Sequence, residues 1–295
     1  MDRIDYLQSN LLKQSLGLEI GPLHSPICPK KDGWKVLTMD ILPTSLVKKS
    51  YENDPNVDID MIESVDIIFS GTLSKSLRNY GLYHNEDFIE SKNCLDYIVS
   101  SHNFEHQPNP IQFLIDSENA LRNNGILSMA IPIASRSFDC WKPLTNTGEW
   151  IDAFYAQHEK PTYGSIFEAH KNMAYLANGE SINEQSYEIN KIKLTSEIDY
   201  NFLECLCQFN RQNIYIDAHV SKFNPFSFQL LLEDISSLGL IRRFRLEKIT
   251  TLGSEFIVSM IKSDIDGSFS TASIKDRRTY LSKKSIEFQY NDLLR

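Results

Sequence analysis

Short apolar runs recur through the first 132 residues, separated by helical or polar stretches. They are Leu16-Gly17-Leu18-Glu19-Ile20, Trp34 to Asp40, Val65 to Phe69, Asp96 to Ser101 and Gly125 to Pro132. Apolar runs this short, bounded by turn signals, read as strands buried on both faces. Strands that alternate with helices lead to an α/β fold, a doubly wound and mostly parallel sheet. A helix over residues 3–15 carries Ile4, Leu7, Leu11 and Leu12. Another is expected over 110–121, with Pro110 in its first turn and Asn123-Asn124-Gly125 as its stop. Near the other end, alternation over 240–249 and 255–261 predicts an antiparallel hairpin around residues 250–254.

In such a sheet, ligands bind at the carboxyl ends of the strands. The residues expected there are Glu19, Asp40, Ser70 and His102. Gly21 follows the first strand, where the backbone has to turn and can approach a ligand closely. Asp40 ends the second strand about twenty residues beyond Glu19, the separation at which an acid commonly meets a ribose. The dinucleotide fingerprint G-x-G-x-x-G is absent, which disfavours a nicotinamide-dependent oxidoreductase.

Composition narrows the partners. A net charge of −9 argues against a general nucleic-acid binder, which needs clustered Lys and Arg. No apolar run approaches the ~20 residues of a membrane span, and residues 1–6 lack a signal-peptide core, so a cytoplasmic protein is expected. The five cysteines are scattered and odd in number, which is no disulfide framework. Cys205 and Cys207 read as buried free thiols.

The motifs in order carry a family likeness. Leu18-Glu19-Ile20-Gly21-Pro22 is followed by Asp40, then by Asp96-Tyr97-Ile98-Val99-Ser100-Ser101-His102 and Phe104-Glu105-His106. Leu121-Arg122-Asn123-Asn124-Gly125-Ile126-Leu127 and Ile131-Pro132 come next. This series resembles the class I S-adenosylmethionine-dependent methyltransferases that read "LEIGPG", "S-H-x-x-E-H" and "L-K-x-G-G-x-L". The resemblance covers residues 16–132. Asp217 to Phe228 also resembles a "D-x-H-x-x-x-F-(T/N)-P-x-S-F" element of a subgroup associated with bacterial polysaccharide and glycan synthesis. Leu23 departs from it where a second glycine is common, Asn124 replaces the first glycine of the "GG" pair, and Ser70 stands where an acid is frequent.

The resemblance implies S-adenosylmethionine as cofactor and a Rossmann-like methyltransferase domain over residues 1–262. Glu19 and the turn at Gly21 and Pro22 would hold its amino-acid part, and Asp40 its ribose. Ser70, Gly71, Thr72 and Leu73 would border the adenine, with Ser101 and His102 beside the sulfonium. Residues 133–215 break the strand–helix rhythm and gather Trp141, Trp150, Phe154, Tyr155 and Tyr163. They are expected to form a helical lid on the substrate side, with the polar 178–197 as its edge and 263–295 as a peripheral tail. Aromatics mixed with polar groups can stack on a sugar ring, so a small-molecule or glycan substrate is expected. Arg136, Trp141 and His106 are its candidate binding residues.

Methyl transfer to a hydroxyl requires a general base, and His is favoured because it titrates near working pH. His219 and His170, with Asp139, are the preferred catalytic set. The same three residues could converge on a divalent ion, but no ligand spacing in the sequence supports a metal, and none is assigned. Two rival readings are a methyltransferase acting on a natural product and an inactive protein that keeps the fold.

Overall fold

The expected strands form because their residues alternate between two buried faces. In a computed structural model of the chain, Ile98 and Leu127 point to one side of the sheet, and Tyr97, Val99 and Ile126 to the other. The structure describes residues 2–82, 94–176, 182, 191–195, 198–211, 215–267 and 273–294.

Chain order is α1 (Arg3–Leu7), β1 (Gly17–Ile20), β2 (Val36–Asp40), α2 (Thr44–Ser50), β3 (Ile67–Ile68), α3 (Leu73–Tyr80), β4 (Leu95–Ser101), α4 (Pro110–Ala120) and β5 (Leu121–Pro132). Then come α5 (Thr147–Tyr155), α6 (Tyr163–Lys171), β6 (Ala174–Leu176), β7 (Ile192–Leu194), α7 (Tyr200–Arg211), α8 (Pro225–Ser237), β8 (Phe244–Leu252), β9 (Glu255–Lys262) and α9 (Ile274–Leu293). Seven strands make one sheet in the order β3-β2-β1-β4-β5-β9-β8. The first five are mutually parallel, while β9 runs antiparallel to β5 and to β8. The α/β sheet with its antiparallel C-terminal hairpin is therefore as expected. The hairpin lies slightly later than its alternation suggested, because Leu240 to Arg243 complete the turn after α8.

The two faces are covered unequally. Leu77 of α3, Leu114 of α4, Trp150 of α5 and Leu231 of α8 share one large core with Leu18, Ile98, Met129 and Val258. The other face packs under Leu7 of α1 together with Ile27, Cys28 and Trp34 from the loop after β1.

Asn123-Asn124-Gly125 does not end a helix. Leu121 leaves α4 in extended conformation, and the three residues sit inside β5 where its register against β4 shifts. Asn124 adopts φ 63°, in the left-handed region that favours glycine.

The aromatics of 133–215 divide. Trp150 is buried and packs edge-on against Phe104 and Phe223, so it belongs to the domain core. Trp141, Tyr155 and Tyr163 are exposed. Most of 178–197 lies outside the described residues. Within 263–295, α9 is a twenty-residue helix that buries Leu281 and anchors Asp292 to Arg136. Cys205 is exposed and Cys207 half-buried, so neither is the buried thiol that the sequence suggested. Among the described residues, no helix is long and apolar enough to cross a membrane.

Candidate functional site

Strand order reverses between β1 and β4, and a cleft opens there at the carboxyl ends of the strands, the place where open α/β sheets bind ligands. Its lining comes from the ends of β1, β2 and β3 as Gly21, Asp40 and Phe69. The turn after β4 adds His102 and His106, and the segment before α8 adds Tyr215 and Asp217. The cleft has a volume of about 180 Å³ and shares Glu159 and Tyr215 with an adjoining open groove of about 790 Å³. The inner cleft alone is smaller than the ~300 Å³ lower bound for ligand pockets, whereas the combined space exceeds it.

Left-handed backbone occurs at two cleft-lining residues, Gly21 (φ 64°) and His102 (φ 48°), and at Leu23 (φ 45°) close by in sequence. Leu23 thus holds a backbone conformation that favours glycine. Non-glycine residues held there cost roughly 1–3 kcal/mol and cluster at functional sites.

Asp40 is half-buried at the end of β2 and faces the cleft. Burial raises its carboxyl above the usual range, partly offset by the backbone amides of Leu42 and Ile41. An acid there can accept hydrogen bonds from ribose-type hydroxyls.

Glu19 behaves differently. It is 1% exposed, and its two oxygens accept from the amides of Ile27 at 2.6 Å and Cys28 at 2.9 Å. It braces the loop after β1 and is not among the cleft-lining residues. Pro22 and Ser101 do not line the cleft either, and Ser101 accepts from the Arg3 guanidinium. Ser70 and Gly71 line the adjoining groove, and Gly71, Thr72 and Leu73 a smaller pocket beside the cleft.

Asp139 and His219 come together as a buried pair, with His219 Nδ1 3.1 Å from Asp139 Oδ2. Lys222 bonds the other oxygen of Asp139. Burial works against the Asp139 anion, yet the His219 hydrogen bond and the Lys222 charge hold this carboxyl far below its ordinary range. Lys142 sits close by, donating to the His219 and Val220 carbonyls, and burial pushes its ammonium down to about 8. His170 does not join them. It lies in α6 with its ring against Phe202.

His106 faces the cleft and donates from Nδ1 to Asp217 Oδ1 at 2.9 Å. Burial lowers its pKa, but the Asp217 hydrogen bond and the charges of Glu105, Asp217 and Asp139 leave it raised overall. His102 donates from Nε2 to Glu255 at 2.9 Å and is raised by the same balance, Glu255 and Glu105 outweighing desolvation. The rings of His106 and His219 meet edge to face at 4.8 Å, and Phe138, an exposed aromatic, lies 4.6 Å from His219.

Arg136 is turned away from the cleft, its guanidinium on Asp292 and near the Phe288 ring of α9. Trp141 is 37% exposed and does not line the cleft.

Sequence reasoning gave no site role to Glu105, Glu159, Tyr215 or Asp217. Two of them carried a signal. Asp217-Ala218-His219 puts an acid and an imidazole two residues apart, so in extended backbone both face one side. Glu105 stands next to His106 in the S-H-x-x-E-H turn, whose backbone carbonyl at Glu105 accepts from Ser221 and ties that turn to the 217–223 segment.

No family model matches the chain, and no curated protein does. Solved structures similar to it include a SAM-dependent methyltransferase from Methanosarcina mazei, at 13% identity and TM-score 0.42 over 89% of this chain and 98% of that one. A SAM-dependent methyltransferase from Aquifex aeolicus aligns at 10% identity and TM-score 0.39, over 86% and 85% of the two chains. A structure described as a Zn-dependent alcohol dehydrogenase from Rhodobacter sphaeroides aligns at 12% identity and TM-score 0.44, over 89% of each. At these scores the likenesses carry no weight for reaction or cofactor, which rest on the residues themselves.

Proposed function

We propose that this chain is a class I S-adenosylmethionine-dependent methyltransferase that methylates a hydroxyl of a small acceptor, with a sugar or glycan-related alcohol as the acceptor class. The observation that carries the reading is the position of Asp40. It is an acceptor at the end of β2, beside the Gly21 turn, in a cleft at the point where strand order reverses. When bound, the sulfonium supplies an electrophilic methyl group and leaves as a neutral thioether.

The chain's own residues would align the partners and handle the proton. Asp40 and the Gly21 backbone fit the ribose and amino-acid ends of such a cofactor, and the Ser70–Leu73 stretch fits the side of the base. As the acceptor oxygen bonds to the methyl carbon, its proton passes to an imidazole backed by a carboxylate. The candidates are His219 with Asp139 and, at the cleft wall, His106 with Asp217. Asp139 and Asp217 are both held ionised, so each stabilises the imidazolium that forms. The exposed Phe138 beside His219 supports a ring-shaped acceptor that stacks on an aromatic face.

Glu19 favours one rival reading. Because its carboxylate is committed to the backbone at 27–28, a contact with the cofactor's amino-acid part is weakened, as expected of a protein that keeps the fold without the activity. Titration calorimetry separates the two. The proposal predicts saturable binding of S-adenosylmethionine that weakens at least tenfold in Asp40→Ala. Absence of binding at millimolar cofactor, or binding unchanged by the substitution, would refute it.

A further inference from the structure

Glu105 is 1% exposed, and neither of its carboxylate oxygens accepts a hydrogen bond among the described residues. What surrounds it is imidazole. His106 Nε2 lies 3.7 Å from Glu105 Oε1, His102 Nδ1 3.9 Å and His219 Nε2 4.0 Å. These separations are too long for hydrogen bonds. A buried charge is normally paired and bonded or placed on a metal.

Two of these rings are set up as metal ligands. The Nδ1 atoms of His106 and His219 donate to Asp217 and Asp139. A carboxylate only accepts, so the proton of each neutral ring sits on Nδ1 and the lone pair on Nε2, which is turned toward Glu105. Histidine ligands adopt this arrangement, with a carboxylate behind the ring fixing tautomer and orientation. The ligand atoms of Glu105, His106 and His219 lie within 4.8 Å of one another. Bonds of about 2.1 Å in tetrahedral geometry place ligands ~3.4 Å apart, so closing on an ion needs only small side-chain movements. The set is also held in place. The Ser221 amide bonds the Glu105 carbonyl, and Lys142 bonds the carbonyls of His219 and Val220.

We propose that Glu105, His106 and His219 bind one divalent first-row transition ion, with Zn²⁺ as the probe. Two imidazoles and a carboxylate suit such metals, and three protein ligands leave a coordination position open. His106 also lines the cleft, so an open position on its side of the set would take an oxygen of the acceptor. Ion binding and proton acceptance are alternative uses of an Nε2 atom, so an occupied site would replace His106 and His219 as bases, the ion acidifying a bound hydroxyl so that its proton can leave to solvent. The site needs no S-adenosylmethionine and stands or falls apart from the cofactor reading.

The test is a Zn²⁺ titration of chelator-treated full-length protein, with metal content measured after gel filtration and with Co²⁺ absorption as a second readout. One Zn²⁺ per chain is expected, together with a Co²⁺ spectrum free of thiolate charge-transfer bands. Binding should weaken at least a hundredfold in His106→Ala and Glu105→Gln. Asp217 is exposed and acts through His106, so Asp217→Asn should keep the fold and weaken binding about 10–100-fold. If Glu105→Gln does not fold, His106→Ala and Asp217→Asn decide the matter. No stoichiometric binding by the unaltered protein, thiolate bands in the Co²⁺ spectrum, or binding unchanged in His106→Ala would overturn the proposal.

Discussion

Tyr97 packs its ring over Gly17, its partner across the β1–β4 ladder, so closely that a Cβ on Gly17 would lie 1.9 Å from two ring carbons. Tyr97 is 1% exposed and also meets Trp34 edge to face at 5.9 Å, so its ring has nowhere to go. Gly17→Ala is therefore expected to destabilise the protein by about 1–3 kcal/mol through overpacking. Chemical denaturation should show a lower midpoint at unchanged slope. An unchanged midpoint would mean that the ring relaxes freely.

Leu23 holds a left-handed backbone. Leu23→Gly relieves that strain but gives the unfolded chain more freedom, and the two effects nearly cancel. The expected outcome is a stability within ~1 kcal/mol of the original, unlike the usual cost of introducing glycine plus losing a leucine side chain. A loss of several kcal/mol would show that packing of the half-buried side chain outweighs the backbone.

Asp292 of α9 is 4% exposed at its side chain and pairs with Arg136, and it also accepts from Ser135. Removing one partner of a buried pair leaves the other uncompensated, so Asp292→Ala should cost about 3–5 kcal/mol. Thermal unfolding measures it directly. A negligible loss would return α9 to the peripheral role that its Ser-, Lys- and Arg-rich sequence suggested.

Glu19 gives a pH signature. Burial raises its carboxyl from 4.5 to about 7, against the pull of the Ile27 and Cys28 amides. The folded state then keeps a proton that the unfolded chain releases, so this group's stabilising effect is full below pH 4.5. It is lost as pH rises to about 7, by ~3 kcal/mol in all. The stability difference between the unaltered protein and Glu19→Gln should fall across that window and level off above it. A flat difference would mean that the two amide bonds keep the carboxylate ionised throughout.

Much of the fold was legible because strand, turn and helix signals agree locally. Asp40 and Gly21 could be assigned to a strand end from sequence position alone, and both line the cleft. Leu23 and Asn124 looked like departures from the resembled pattern, yet both take the left-handed backbone that favours glycine, and φ cannot be read from a letter. The role of Arg136 was hidden because its partner lies 156 positions away. Glu19 misled for a related reason, since only the path of residues 27–28 shows what its carboxylate meets. His170 shared residue type with His219 but not its place, and nothing local distinguishes an imidazole on α6 from one beside Asp139.

The central claim is that the cleft between β1 and β4 holds S-adenosylmethionine, and a crystal structure with S-adenosylhomocysteine tests it most directly. The account predicts the ribose hydroxyls on Asp40, the amino-acid end against the Gly21 turn, and the sulfur directed toward His102 and His106. Ligand density elsewhere on the protein, or a ribose that makes no contact with Asp40, would contradict it.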